Sequence, residues 1–308
     1  MNMLSLPLFR IALSLACLGA AALPAAEPVK IDLWPEGVPG LRSDATPEKI
    51  TATSATNVHH PYLVPFLVAG DKANGTAVVI CPGGGYRNLS IANEGSQMAE
   101  RFNAIGVSAF VLHYRLSEYG HPAPLRDVLR AMRLVRSRAA EFGIKADRIG
   151  IIGSSAGGHL AASASTLFDD ADGKTGAELD KVSGRPDFAV LLYPVITMDE
   201  KLTHAGSRKS LLGATPTPEA LAHMSLELRV TKETPPTFIV VAEDDKTVPV
   251  ENSLMFYQAL RNAGVNAEMH VWPKGGHGFG MRPNLGGPST WPDRCEEWMR
   301  ANGWVPAK

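Results

Sequence analysis

Residues 148–168 read Arg-Ile-Gly-Ile-Ile-Gly-Ser-Ser-Ala-Gly-Gly-His-Leu-Ala-Ala-Ser-Ala-Ser-Thr-Leu-Phe. A β-branched run (Ile149, Ile151, Ile152) stops at Gly153, and an Ala-rich segment with helical spacing starts at Ala156. Between them lies Gly153-Ser154-Ser155-Ala156-Gly157, a G-x-S-x-G pattern centred on Ser155. A serine on a sharp strand-to-helix turn exposes its Oγ above a sheet. The flanking glycines are required because a Cβ there would strike the adjoining strand or helix. The turn also aims the N–H of Ala156 at the place where an oxyanion would form. Ser155 is therefore the candidate nucleophile.

Outward from this turn, strand and helix patterns alternate. Residues 76–81 form a continuous apolar run, as in a strand covered on both faces. It leads into Pro82-Gly83-Gly84-Gly85-Tyr86, whose glycines let the backbone approach a ligand and turn N–H groups inward. The loop is placed to supply the rest of an oxyanion hole beside Ala156. Strands are predicted at 29–34, 61–68, 107–112, 188–193, 237–242 and 267–272, and helices at 94–105, 124–142, 250–263 and 291–302. Pro61 and Pro65 suit an edge strand. On the 124–142 helix, Leu125, Val128, Leu129, Met132 and Val135 form the core face, and Arg126, Arg130, Arg133 and Arg136 are read as a solvated face. The alternation predicts a mainly parallel sheet with helices on both faces and ligands at the carboxyl ends of its strands. Residues 195–236 break the rhythm with prolines and a short helical pattern at 219–226, and are expected to cover the strand ends as a lid-like insertion.

The composition, 45% hydrophobic and 20% charged with a net charge of -1, is that of a globular chain without a basic face for nucleic acid or anionic membrane. Residues 1–26 differ: a cation at Arg10, an apolar run over 11–23 and alanines through Ala26 have the anatomy of a secretory signal. The run is shorter than the ~20 residues a spanning helix needs, so no membrane anchor is expected, and a cut between Ala22 and Ala26 would release a periplasmic or secreted domain of residues 27–308. Cys17 falls in the discarded segment, and Cys81 and Cys295 are expected to be separate buried thiols rather than a disulfide or a metal site.

A serine hydroxyl needs a base, and the base an orienting carboxylate. Where these follow the order Ser, Asp or Glu, His, only His270 and His277 remain as bases. His270 lies within a predicted strand, whereas His277 lies in Lys274-Gly275-Gly276-His277-Gly278-Phe279-Gly280 just past its end. The acid follows the preceding strand, among Glu243, Asp244 and Asp245; Asp245 is selected because Val248-Pro249 closes that loop. His159, beside the serine turn, is read as a packing or hydrogen-bonding residue.

Val79-Ile80-Cys81-Pro82-Gly83-Gly84-Gly85-Tyr86, Tyr114-Arg115-Leu116, Gly153-Ser154-Ser155-Ala156-Gly157-Gly158-His159-Leu160, Thr234-Pro235-Pro236, Asp245-Lys246-Thr247-Val248-Pro249 and Gly275-Gly276-His277-Gly278-Phe279-Gly280 occur in that order. Together they resemble the secreted bacterial α/β-hydrolases related to acetylxylan esterases and BD-FAE-type feruloyl esterases. The resemblance implies the α/β-hydrolase fold, a Ser155–His277–Asp245 triad with Gly84, Gly85 and Ala156 as oxyanion donors, and acyl transfer without cofactor or metal. Pro82 stands where the His-Gly-Gly-Gly of the hormone-sensitive-lipase pattern would begin. The expected substrate is a small-molecule or polysaccharide ester, with short acyl groups, acetyl first, removed from xylan-like carbohydrate. Feruloyl esterase or short-chain carboxylesterase activity is the alternative. Tyr86 and Trp272 are expected as a wall for a sugar ring. A prolyl-type peptidase would normally add a propeller domain, and a non-catalytic binding protein would lack part of the constellation.

Overall fold

The computed structural model describes residues 29–307; the expected export segment 1–26 lies outside them. In chain order the strands are β1 (Ile31–Asp32), β2 (Lys49–Ile50), β3 (Ala55–Thr56), β4 (Tyr62–Phe66), β5 (Ala77–Cys81), β6 (Ser108–His113), β7 (Ile149–Ser154), β8 (Ala189–Leu192), β9 (Thr237–Ala242) and β10 (Ala267–Trp272). β2 and β3 form a small hairpin, and the other eight make one sheet in the order β1-β4-β6-β5-β7-β8-β9-β10. From β6 to β10 the pairings are parallel; β4 runs antiparallel to both β1 and β6. This is the α/β-hydrolase architecture anticipated above. Every residue of β5, β7, β8 and β9 is buried, which is why their sequences run apolar without alternation. β1 pairs only with Tyr62 and Leu63, so Pro65 falls beyond its end, on a free edge where a missing N–H is tolerated.

The pleat sends Ala77, Val79 and Cys81 to one face and Val78 and Ile80 to the other. The first face is covered by α2 (Ala123–Ser137), α3 (Ala156–Thr166) and α6 (Glu251–Asn262). The second is covered by α1 (Gln97–Asn103), which follows a π-helical turn at Ala92–Ser96, and by α7 (Trp291–Ala301). Cys81 and Cys295 are both unpaired and buried, one in each of the two packed layers that the sheet separates. No helix among the described residues is long and apolar enough to cross a membrane.

The arginine series of α2 corrects the solvated-face expectation. Arg130 Nε donates to the Leu33 carbonyl and Nη2 pairs with Glu36, while Arg133 Nη1 donates to the Gly173 carbonyl and to Asp180. Both side chains are under a tenth exposed. Arg136 reaches Ala146, Ser183 and Asp187. A long, always charged side chain can satisfy loop carbonyls as readily as water can. Asp127, on the same helix, is fully buried between the Arg115 guanidinium and Trp34 Nε1.

The segment 195–236 contains α4 (Ala205–Leu212) and α5 (Pro218–Met224). α5 starts at Pro218, with Thr217 Oγ1 accepting from the Ala220 N–H, the usual chemistry of a helix start. The segment doubles back: the Leu226 N–H donates to the Ile196 carbonyl and the Met198 N–H to Ser225 Oγ.

Candidate active site

β7 ends and α3 begins at Ser155, whose backbone sits at φ 55, ψ -120, a region L-residues seldom occupy. The turn closes only because its neighbours are glycines. A Cβ on Gly157 would lie 2.1 Å from the Cys81 carbonyl oxygen. Ser155 Oγ lies 2.9 Å from His277 Nε2, and His277 Nδ1 lies 2.7 Å from Asp245 Oδ2. The three residues come from the carboxyl ends of β7, β9 and β10, where the crossover topology brings loops together. Asp245 is buried, and its Oδ1 accepts from the Thr247 and Val248 N–H groups, which fixes the carboxylate. With Nδ1–H donated to Asp245, Nε2 has its lone pair toward the serine hydroxyl, the tautomer a general base requires. Asp244, the neighbouring carboxylate, accepts instead from the Gly276 N–H at 2.8 Å, and that bond holds its pKa below the usual carboxylate value.

The glycine loop faces the serine. The Gly83 N–H is committed to Glu94 Oε2 at 2.9 Å, so it is not free to meet a ligand. Gly84 and Gly85 line the cleft beside Ser155 and His277, both with positive φ. A Cβ at Gly84 would lie 2.0 Å from the Asn88 carbonyl oxygen. Ala156 is the first residue of α3, where N–H groups have no intrahelical acceptor. Gly84 and Gly85 thus line the same cleft as Ser155, and Ala156 follows Ser155 directly in the chain.

Sequence reasoning missed the carboxylate beneath this loop. Glu94 lies in the π-helical turn, is 5% exposed, and accepts from the Gly83 N–H and, at 2.7 Å, from the Tyr193 hydroxyl. The Tyr193 oxygen in turn accepts from the Gly280 N–H, and its ring packs edge-on to His277 at 4.9 Å. Burial raises the Glu94 pKa, with the bonds from Tyr193 and Gly83 acting against that rise. One buried carboxyl thus ties the glycine loop to the histidine loop. In the sequence, an acid at the head of a helical pattern reads as an ordinary first-turn residue, and nothing there marks its tie to Tyr193.

The expected sugar wall is corrected. Tyr86 is 1% exposed: its hydroxyl bonds His159 Nδ1 at 2.9 Å, while His159 Nε2 donates to the Met224 carbonyl. Tyr86 therefore braces the loop from below, and His159 joins it to the end of α5. Burial pushes the His159 imidazole down to about 4. Trp272 packs between His270 and Phe279, with Gly287 against its indole, away from the cleft. The cleft, about 350 Å³, is instead lined by polar side chains: Arg87, Asn88 and Asn93 from the glycine-loop side, His204 from the segment 195–236, and Arg282.

A family model described as BD-FAE matches residues 66–260, a span that includes Ser155 and Asp245. The chain belongs to the BD-FAE family. Among curated relatives, this BD-FAE chain is 41% identical over 213 residues to an endo-1,4-beta-xylanase B of Butyrivibrio fibrisolvens, a match covering 68% of this chain and 33% of that protein. It is 37% identical over 215 residues to an acetylxylan esterase of Xylanibacter ruminicola, covering 68% of this chain and 42% of that protein. The chain thus spans less than half the length of either. The crystal structure of an acetyl ester-xyloside bifunctional hydrolase from Caldicellulosiruptor lactoaceticus superimposes with a TM-score of 0.80 at 40% identity, covering 90% of this chain and 97% of that one.

Proposed function

We propose that the protein is a serine esterase that removes short acyl groups, acetyl first, from xylan-type carbohydrate. The observation that carries this reading is the hydrogen-bonded run from Ser155 Oγ through His277 to Asp245 beside the Gly84-Gly85 loop. Chemically, His277 Nε2 takes the Ser155 proton as Oγ attacks the ester carbonyl. Asp245 steadies the imidazolium, and the N–H groups of Ala156, Gly84 and Gly85 hold the tetrahedral oxyanion. His277 then gives its proton to the sugar oxygen as its bond to the acyl carbon breaks, so the sugar leaves as an alcohol, and water attacks the acyl-enzyme by the same steps and frees Ser155.

The polar cleft supports the acetyl assignment. A ferulate ring or an octanoyl chain needs apolar area to leave water, and the cleft side chains are arginine, asparagine, serine, threonine, glutamate and histidine. The same groups suit the hydroxyls of a sugar. The names of the acetylxylan esterase and acetyl ester-xyloside hydrolase relatives favour the same substrate class. We also propose that residues 1–26 direct export and are removed, which would bring the enzyme to polymer fragments outside the cytoplasm.

The test is acetate release from acetylated xylo-oligosaccharides compared with hydrolysis of p-nitrophenyl acetate, butyrate and octanoate, methyl ferulate and a prolyl peptide. Acetylated sugars should be cleaved much faster than octanoate or ferulate. Preference for octanoate, or cleavage of the prolyl peptide without acetate release, would overturn the carbohydrate reading. Loss of all ester cleavage in Ser155→Ala is expected in either case.

A further inference from the structure

Away from the residues that line the cleft, four side chains from three separate segments converge. His121 precedes α2, Asp170 and Asp172 follow α3, and His223 lies on α5. His121 Nε2 is 2.9 Å from Asp172 Oδ2, and His223 Nε2 is 3.7 Å from Asp170 Oδ2 and 3.9 Å from Asp172 Oδ2. One donor atom from each of His121, Asp172 and His223 lies within 4.8 Å of the others. We propose that this cluster is a structural zinc site that fastens the covering segment to the body of the protein.

Three observations carry the assignment. His223 Nε2 is buried and has no hydrogen-bond partner, although two carboxylates and a second imidazole surround it. A buried nitrogen left so is unfavourable unless something bonds it. The spacing is also right. A tetrahedral ion with bonds of about 2.0–2.2 Å sets its ligand atoms roughly 3.3–3.5 Å apart, and the three separations above straddle that value. Finally, two imidazoles with carboxylates are a zinc donor set, whereas calcium and magnesium favour oxygen ligands alone. The two carboxylates balance the charge of a divalent ion. Asp170 is already oriented, because its other oxygen accepts from the Asp172 N–H at 2.9 Å. The Asp172 side chain is 48% exposed, which leaves a way in for the ion.

The position gives the site a purpose. His223 adjoins Met224, whose carbonyl receives His159 Nε2 and through it the Tyr86 hydroxyl. An ion holding α5 to residues 121 and 170–172 therefore steadies the support beneath the glycine loop. The ion takes no part in acyl transfer, so the site does not depend on the esterase reading.

The experiment uses the full chain without a histidine tag, stripped with EDTA and dialysed. Zinc chloride is titrated in, retained metal is counted by mass spectrometry after dialysis, and melting is followed with zinc and separately with calcium. About one zinc per chain is expected. Tm should rise by about 5 °C when free zinc is 100-fold above Kd, with no rise from calcium. His223→Ala and Asp172→Asn should each weaken zinc binding at least about 100-fold while the metal-free Tm and far-UV spectrum stay near wild type. Both positions are part exposed, so the folds of these variants can be compared directly. Retention below a tenth of an equivalent, zinc binding unchanged in both variants, or a Tm rise from calcium but not zinc would each overturn the proposal.

Discussion

At the level of single residues, two carboxylates one position apart do different work. Asp245 faces the imidazole, and Asp244 faces the backbone N–H of Gly276. Asp245→Asn should lower kcat by roughly 10³–10⁴, and Ser155→Ala or His277→Ala by about 10⁴–10⁶, each without loss of folding. Asp244→Asn removes a negative charge but leaves an acceptor, and its effect should stay within about tenfold. Steady-state kinetics on p-nitrophenyl acetate decides the ranking, and the reverse order of the two aspartates would reassign the acid. Glu94 is a positioning residue. Glu94→Ala releases both the Gly83 N–H and the Tyr193 hydroxyl, so kcat should fall about 10–100-fold with KM little changed. Glu94→Gln keeps an acceptor for Gly83 and should recover part of the loss. A comparable rise in KM with kcat intact would instead place Glu94 in substrate binding.

At the level of elements, the buried ties between segments decide stability. Asp127 anchors α2 to the exit of β6 and to Trp34, and Asp127→Asn leaves the Arg115 guanidinium, 1% exposed, without its counter-charge. The expected cost is about 3–5 kcal/mol in urea unfolding; a cost under about 1 kcal/mol would mean that the Pro39 and Ala123 carbonyls suffice. His159 sets a pH response. Unfolded, its imidazole takes a proton near 6.5, and folded only near about 4. Between those values the unfolded state binds more protons, so this contribution is complete above pH 6.5 and is lost as pH falls toward 4, by up to about 3 kcal/mol. Unfolding at pH 7.5, 5.5 and 4.5 should show that slope, and His159→Gln should flatten it; an equally steep slope in the variant would remove His159 from the account. The central strands were legible because a strand covered on both faces is one apolar run, and β9 occupies the predicted residues. α4 was not, since Ala205-Gly206-Ser207-Arg208-Lys209-Ser210 has no apolar periodicity, and its apolar anchors, Leu211 and Leu212, are confined to its last two residues. The arginines of α2 misled because polarity was equated with water. The hydrogen-bonded run of Ser155, His277 and Asp245 was readable because its members follow strands in a set order. Glu94 and Tyr193 pair across 99 residues with no local mark on either.

For the molecule as a whole, the sheet is both the scaffold of the site and a partition. Cys81 lies in the packed layer on one side and Cys295 in the layer on the other, and burial raises both thiols far above their usual range. Thiolate is the form that attacks oxidants and alkylating reagents, so both sulfurs should be inert until the chain opens. Labelling with a maleimide should be slow in the native protein and should follow global unfolding in urea. Melting should be the same with and without dithiothreitol. The packing of the described residues therefore calls for neither a thiol oxidase nor a disulfide isomerase to complete it.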